Sequence, residues 1–286
     1  MDTKTLTNDP TTFSIEVMPR TAKKIDDFRR ILPKKTTVYV AHLEDTPIEE
    51  MFFTCKRLIS EGMAPMPHIP ARIIHNTGEL EDWVKEYSSL GVYQSLLLAG
   101  NGKNPKGELF NSIQMLETGI FEKHAFKKIQ IAGHPEGNRD IDKDGSLEKT
   151  INALKAKQKF ALSTKLKIGI TTQFCFDLRP VIEWLKVLER EQIDLPISLG
   201  LAGPTRLQTL IKYAIMCGVG PSISVLKKRA KDLTKLLLPF EPTEIVDTLN
   251  SYKKNELFKN VHSLHFFPLG GIEASAAFAR NINVPA

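Results

Sequence analysis

Lys127-Lys128-Ile129-Gln130-Ile131-Ala132-Gly133 runs straight into His134-Pro135-Glu136-Gly137-Asn138. A short apolar run rich in β-branched residues fits a strand buried on both faces. It ends in a turn carrying an imidazole, a carboxylate and an amide, and α/β proteins place their chemistry at the C-terminal ends of strands. The arrangement recurs along the chain. Strands are predicted over 12–17, 36–41, 64–69, 94–99, 127–133, 167–173, 196–200 and 260–267. Their ends read Glu16-Val17-Met18-Pro19, Ala41-His42, Pro67-His68-Ile69, Ala99-Gly100-Asn101, His134-Pro135-Glu136, Thr172-Gln173-Phe174, Gly200-Leu201-Ala202-Gly203 and His265-Phe266-Phe267.

Helical patterns fill the gaps. The pattern over 47–61 lies between Pro47 and Gly62, those over 78–90 and 108–118 stop at Gly91 and Gly119, and 146–163 opens on Ser146 as an N-cap. Further helices are predicted over 178–191, 205–217, 222–237 and 241–253. Strand–helix alternation implies a parallel sheet. Eight alternations in 286 residues imply closure into a single (β/α)8 TIM barrel spanning residues 1–286, an α/β protein with no internal domain boundary. The loops 101–108 and 137–146 are long and polar and follow strand ends, where binding loops belong.

Composition narrows the class. Hydrophobic residues at 42% and charged residues at 25% are an ordinary globular balance. No run of roughly 18 uncharged apolar residues offers a membrane span, and the N-terminus has no secretory signal pattern. Cys55, Cys175 and Cys217 have neither metal-ligand spacing nor a paired pattern and read as buried thiols, so a cytoplasmic protein is expected. The histidines are scattered without zinc spacing and no Gly-x-Ser-x-Gly elbow occurs, which disfavours metal and nucleophilic hydrolysis. The net charge of +6 includes Lys227-Lys228-Arg229 and Lys253-Lys254, which read as solvated helix faces rather than a nucleic-acid surface. The positive potential suits small anionic molecules.

Several strand ends have two readings. Glu16, at the tip of an apolar strand, is partly desolvated and fits a general acid, or is a carboxylate paired with a lysine or capping a helix. His68 fits a site histidine or a hydrogen-bonded core residue, and Arg72 fits a grip on phosphate or carboxylate or a surface ion pair. Gly100 fits a close approach to a flat ligand or a tight turn. Turn chemistry explains Gly133, Pro135 and Gly137 better than it explains His134 and Glu136. Gln173 can donate to and accept from a heterocycle edge, or it satisfies nearby backbone. The run Gly200 to Thr205 leads into a helix as a weak anion-site pattern.

Taken in order, Phe13-Ser14-Ile15-Glu16, Pro67-His68-Ile69, Leu98-Ala99-Gly100-Asn101, Ile131 to Gly137, Leu154-Lys155-Ala156-Lys157, Thr172 to Asp177 and Leu264 to Leu269 resemble the catalytic barrel of methylenetetrahydrofolate reductase. The resemblance implies a flavin-dependent oxidoreductase interconverting 5,10-methylene- and 5-methyltetrahydrofolate, with FAD as cofactor and NADH or NADPH as reductant. It implies Glu16 as the catalytic acid, and Gln173, Asn101, Phe267 and Leu269 at the tetrahydrofolate-type substrate. It places His68, Ala99, Gly100 and Asn101 against the flavin, together with His134, Glu136, Asn138 and Lys157. A homo-oligomer is implied in the same way. The chain departs from the family pattern at Ala41, Asn101, His134, Asn138, Leu207 and Gly271, so a flavin-independent reductase and a non-catalytic folate-binding partner subunit stand as alternatives.

Overall fold

The computed structural model describes residues 13–100, 104–138, 140–216, 239–252 and 255–282. Eight parallel strands close into a barrel in sequence order: β1 (Phe13–Val17), β2 (Thr37–Val40), β3 (Ala64–Pro70), β4 (Gln94–Leu98), β5 (Lys128–Gly133), β6 (Lys167–Cys175), β7 (Ile197–Ala202) and β8 (Val261–Phe267). Every predicted strand is present. The chain alternates these with helices: α1 (Pro19–Ala22), α2 (Ile48–Ser60), α3 (Thr77–Ser89), α4 (Ser112–Glu117), α5 (Ile120–Lys123), α6 (Glu148–Ala161), α7 (Leu178–Arg190), α8 (Leu207–Met216), α9 (Thr243–Ser251) and α10 (Ile272–Asn281). The fold is the expected (β/α)8 TIM barrel.

The chain divides into two compact units, one of Met1–Ile15, Gly133–Lys155 and Thr171–Ala286, the other of Glu16–Ala132 and Ala156–Ile170. In the second, β2 pairs with β3 through Tyr39↔Met66, β3 with β4 through His68↔Leu96, and β4 with β5 through Leu96↔Gln130. Paired residues of parallel neighbours share a face. This register accordingly gathers Tyr39, Met66 and Leu96 into one buried cluster, with Leu98 packed against it. In the first unit β1 pairs with β8 through Ser14↔His265, and β7 with β8 through Gly200↔His265, with a register break between Ile197 and Ser198.

Three local expectations change. The helix predicted over 108–118 starts at Ser112, because Asn111 Oδ1 accepts from the Gln114 amide at 3.2 Å while Gln114 Oε1 accepts from the Asn111 amide at 3.3 Å. This reciprocal box fixes the first turn. Gly119, with φ of 71°, ends α4 but opens α5 directly. Ser146 is not the dominant cap of α6. Asp142 reaches across the loop and accepts from the amides of Lys149 at 2.8 Å and Thr150 at 3.1 Å. A carboxylate there outcompetes a hydroxyl, because its charge faces the positive helix end. The helix predicted over 222–237, the basic runs at Lys227 and Lys253, and Cys217 lie outside the described residues. Cys55 and Cys175 are free and buried. Among the described residues no helix is long and apolar enough to cross a membrane.

Candidate active site

The tips of β1 and β3 bring Glu16 and His68 together. Glu16 Oε2 lies 3.4 Å from His68 Nε2, with side-chain exposures of 20% and 10%. The distance is within ion-pair reach but long for a direct charge-assisted hydrogen bond. His68 also meets the Tyr39 ring edge-on, with centroids 6.1 Å apart. The ring thus meets a buried aromatic and a carboxylate.

Arg72 and Gly100, singled out as ligand contacts, are hydrogen-bonded to each other. The Arg72 guanidinium donates to the carbonyls of Phe110 at 3.3 Å and Gly100 at 3.4 Å, and its amide donates to the Ala99 carbonyl at 3.0 Å. The fork that fits a carboxylate here ties down the loop after β4. Gly100 has φ of 90°, and a Cβ on it would stand 3.1 Å from Pro70 Cβ. The backbone therefore needs glycine without any ligand. Asn101 lies outside the described residues.

Next to this loop, His42 was missing from the expected site. Its Nε2 lies 2.9 Å from the Thr46 carbonyl and so carries the proton, while the buried Nδ1 has no partner among the described residues. Burial holds His42 below the ordinary histidine range; the Thr46 carbonyl opposes this and the nearby Lys106 charge adds to it. The ring packs on Trp83, with centroids 5.4 Å apart. Its position at the end of β2 was the available sequence signal.

Lys157 on α6 is 8% exposed and makes no hydrogen bond or ion pair with any described residue. Burial lowers its pKa to about 8. A buried amine without a carboxylate beside it fits an anion or a carbonyl carbon.

In the other compact unit, the turn after β5 places Glu136 close to Cys175 at the end of β6. Burial raises the Cys175 thiol, and the Glu136 and Asp177 carboxylates push it further up. The turn is closed by Gly137, with φ of 77°, whose amide donates to the His134 carbonyl at 3.0 Å. Asn138 Oδ1 accepts from the Asp140 amide at 2.9 Å, so the amide is engaged in its own loop. Gln173 is half-buried at the end of β6. Phe174 packs on Phe176 at 5.2 Å and on Phe267 at 5.3 Å, and Phe267 meets His265 at 4.6 Å. His265 Nδ1 is 2.9 Å from Ser14 Oγ. The Leu269 amide donates to the Phe267 carbonyl at 2.8 Å, which folds Leu269 back over the strand end. In the turn after β7 the Gly203 amide donates to the Phe267 carbonyl at 2.9 Å and the Thr205 amide to the Phe240 carbonyl at 3.0 Å, and a Cβ on Gly203 would lie 2.1 Å from Ser275 Oγ of α10.

No family model matches the chain. Among solved structures it is similar to oxaloacetate acetylhydrolase, at 10% identity over 94% of this chain and 78% of that one, with a TM-score of 0.47. It is similar also to phosphoenolpyruvate phosphomutase from Streptomyces platensis subsp. rosaceus, at 12% identity over 66% and 68% of the two chains and a TM-score of 0.43. A conserved protein from Enterococcus faecalis with an unknown function gives 12% identity over 96% and 66%, with a TM-score of 0.45. None of their activities transfers to this chain at such identities.

These findings overturn the expected membership in the methylenetetrahydrofolate reductase family. Of the three neighbours above, two carry the names of a phosphomutase and an acetylhydrolase and the third has an unknown function; none carries the name of a folate oxidoreductase. The flavin-dependent reductase reading goes with it, as do the flavin-independent and non-catalytic folate-binding alternatives. FAD, the nicotinamide and the folate entered only through that resemblance and lose its support. The reason lies in the motifs: short strand-end clusters are shaped partly by barrel geometry, as Gly100 and Gly203 show.

Proposed function

We propose that the chain is a barrel enzyme of general acid–base chemistry, in which Glu16 and His68 move a proton to and from a small anionic substrate. The observation that carries this reading is the 3.4 Å approach of Glu16 Oε2 to His68 Nε2 at two strand tips. A carboxylate and an imidazole side by side supply one group as acid and the other as base. Glu16 lies at the C-terminal end of β1 and His68 near that of β3, the end where barrel enzymes do their chemistry. The net charge of +6 favours an anion over a cation as substrate. A second cation that could meet an anion is Lys157, which is buried without a counter-charge among the described residues.

Small 2-oxo acids in D2O are a direct probe, because exchange of the proton next to their carbonyl needs only an acid and a base. Wild-type protein is expected to speed exchange, read by NMR. Glu16→Gln and His68→Asn should each slow it by about a hundredfold or more while leaving the fold intact by circular dichroism. Exchange no faster than in buffer across the series, or exchange unchanged in Glu16→Gln, would sink the proposal.

A further inference from the structure

The geometry points to a second ligand site, lined by neither Glu16 nor His68: a cleft at the ends of β1 and β2 that takes a small zwitterion of the α-amino acid type. The cleft has a volume of about 190 Å³ and lies between the first turn of α1 and the loop leading into α2. Met18, Leu43 and Pro47 give it apolar lining. Arg20 and Asp45 line it as well. They make no ion pair with each other, and neither pairs with any other described residue. Among the described residues the Arg20 guanidinium has only the Met18 sulfur, at 3.6 Å. The remaining charge on the cleft, Glu50, is neutralised by Lys23 at 2.9 Å.

The cleft therefore offers one open cation, one open anion and apolar lining. A guanidinium fork matches a carboxylate in two parallel hydrogen bonds. A carboxylate such as Asp45 accepts from an ammonium group. A molecule carrying both groups on one carbon satisfies the two together, and a short side chain can cover Leu43, which is 37% exposed. The volume admits a small amino acid and is below the usual range for a drug-sized ligand. A simple carboxylate or a simple amine would leave one charge unanswered.

The test is an amide NMR titration of the full chain at constant ionic strength. Glycine, L-alanine and L-threonine are the probes, with propionate and ethylamine as the two half-ligands. The amides of Leu43, Asp45 and Thr46 are expected to shift saturably with the amino acids, and roughly tenfold more weakly with either half-ligand. Arg20→Gln and Asp45→Asn should each weaken the amino acids by roughly tenfold, with the spectrum otherwise unchanged. Three outcomes would overturn the inference: propionate binding as well as L-alanine, no saturable shift with any amino acid, or binding indifferent to both substitutions. None of these depends on whether the Glu16–His68 exchange succeeds.

Discussion

The amide of Gly200 donates to the Thr172 hydroxyl at 2.8 Å, and that hydroxyl donates in turn to the Gln173 carbonyl at 2.9 Å. A side chain thus stands in for the strand ladder beside the end of β6, where Gln173 sits. Gly200 must be glycine for this, since a Cβ there would lie 2.4 Å from the Thr172 carbonyl oxygen. Gly200→Ala should destabilise the protein by about 2–3 kcal/mol through the forced separation of two strands. Thr172→Val should cost about 1–3 kcal/mol by orphaning a buried amide, while Thr172→Ser should be much milder. Urea denaturation checks all three, and a Thr172→Val protein as stable as wild type would remove the hydroxyl from this role.

Glu16 and His68 should prove energetically coupled. In a double-mutant cycle on Glu16→Gln and His68→Asn, the two single losses should fall short of additivity by about 0.5–1 kcal/mol, as for a partly buried pair with imperfect geometry. The coupling should shrink at high salt. Additive losses within error would mean that the two side chains are neighbours without interacting.

Asp142 caps α6 from eight residues before Thr150, and its contribution should depend on acid. Burial alone would raise this carboxyl, but the amides of Lys149 and Thr150 and the hydroxyls of Thr150 and Ser146 together hold it below the ordinary value of 3.8. A depressed folded pKa means that stabilisation is complete above the unfolded value and is lost as pH falls through the folded one. Asp142→Ala should cost about 1–2 kcal/mol at neutral pH. Its stability curve should converge on that of wild type as the pH drops below 3.8. Curves that stay parallel down to that pH would contradict the capping role.

The strands were legible because their signal is local: Leu96-Leu97-Leu98, Ile129 with Ile131 and Ile168 with Ile170 are short apolar runs between turn residues, and all lie in strands. The Asp142 cap was not legible, because it depends on how the polar loop 137–147 folds back rather than on spacing at the helix start. Glu16 and His68 were each visible as strand-end residues, but their 3.4 Å approach depends on β1 and β3 standing on either side of β2 in the barrel. Arg72 had the chemistry of an anion clamp in the sequence; only the structure shows it donating to the Phe110 and Gly100 carbonyls. The functional reading failed for the same reason, since glycine-bearing strand ends answer to backbone packing before they answer to a ligand.

Lys157 should make the protein more stable in mild alkali. Burial brings its amine from the ordinary 10.5 down to about 8. Between those values the unfolded chain binds a proton that the folded chain does not, so stability should rise with pH across that window. Below about 8 both states are protonated, and the folded state bears the whole cost of an enclosed charge, about 3 kcal/mol at 1.36 kcal/mol per unit. Lys157→Met removes that cost and keeps the packing of the stem. It should therefore be more stable than wild type at neutral pH, with the difference closing towards pH 10.5. Urea midpoints measured from neutral pH upward give both curves. A small anion bound at the amine would favour its charged form, so phosphate at constant ionic strength should raise the wild-type midpoint at neutral pH and leave Lys157→Met unmoved. A methionine variant that is less stable than wild type at every pH, with no response of wild type to phosphate, would show that the amine is neither costly nor a receptor for anions.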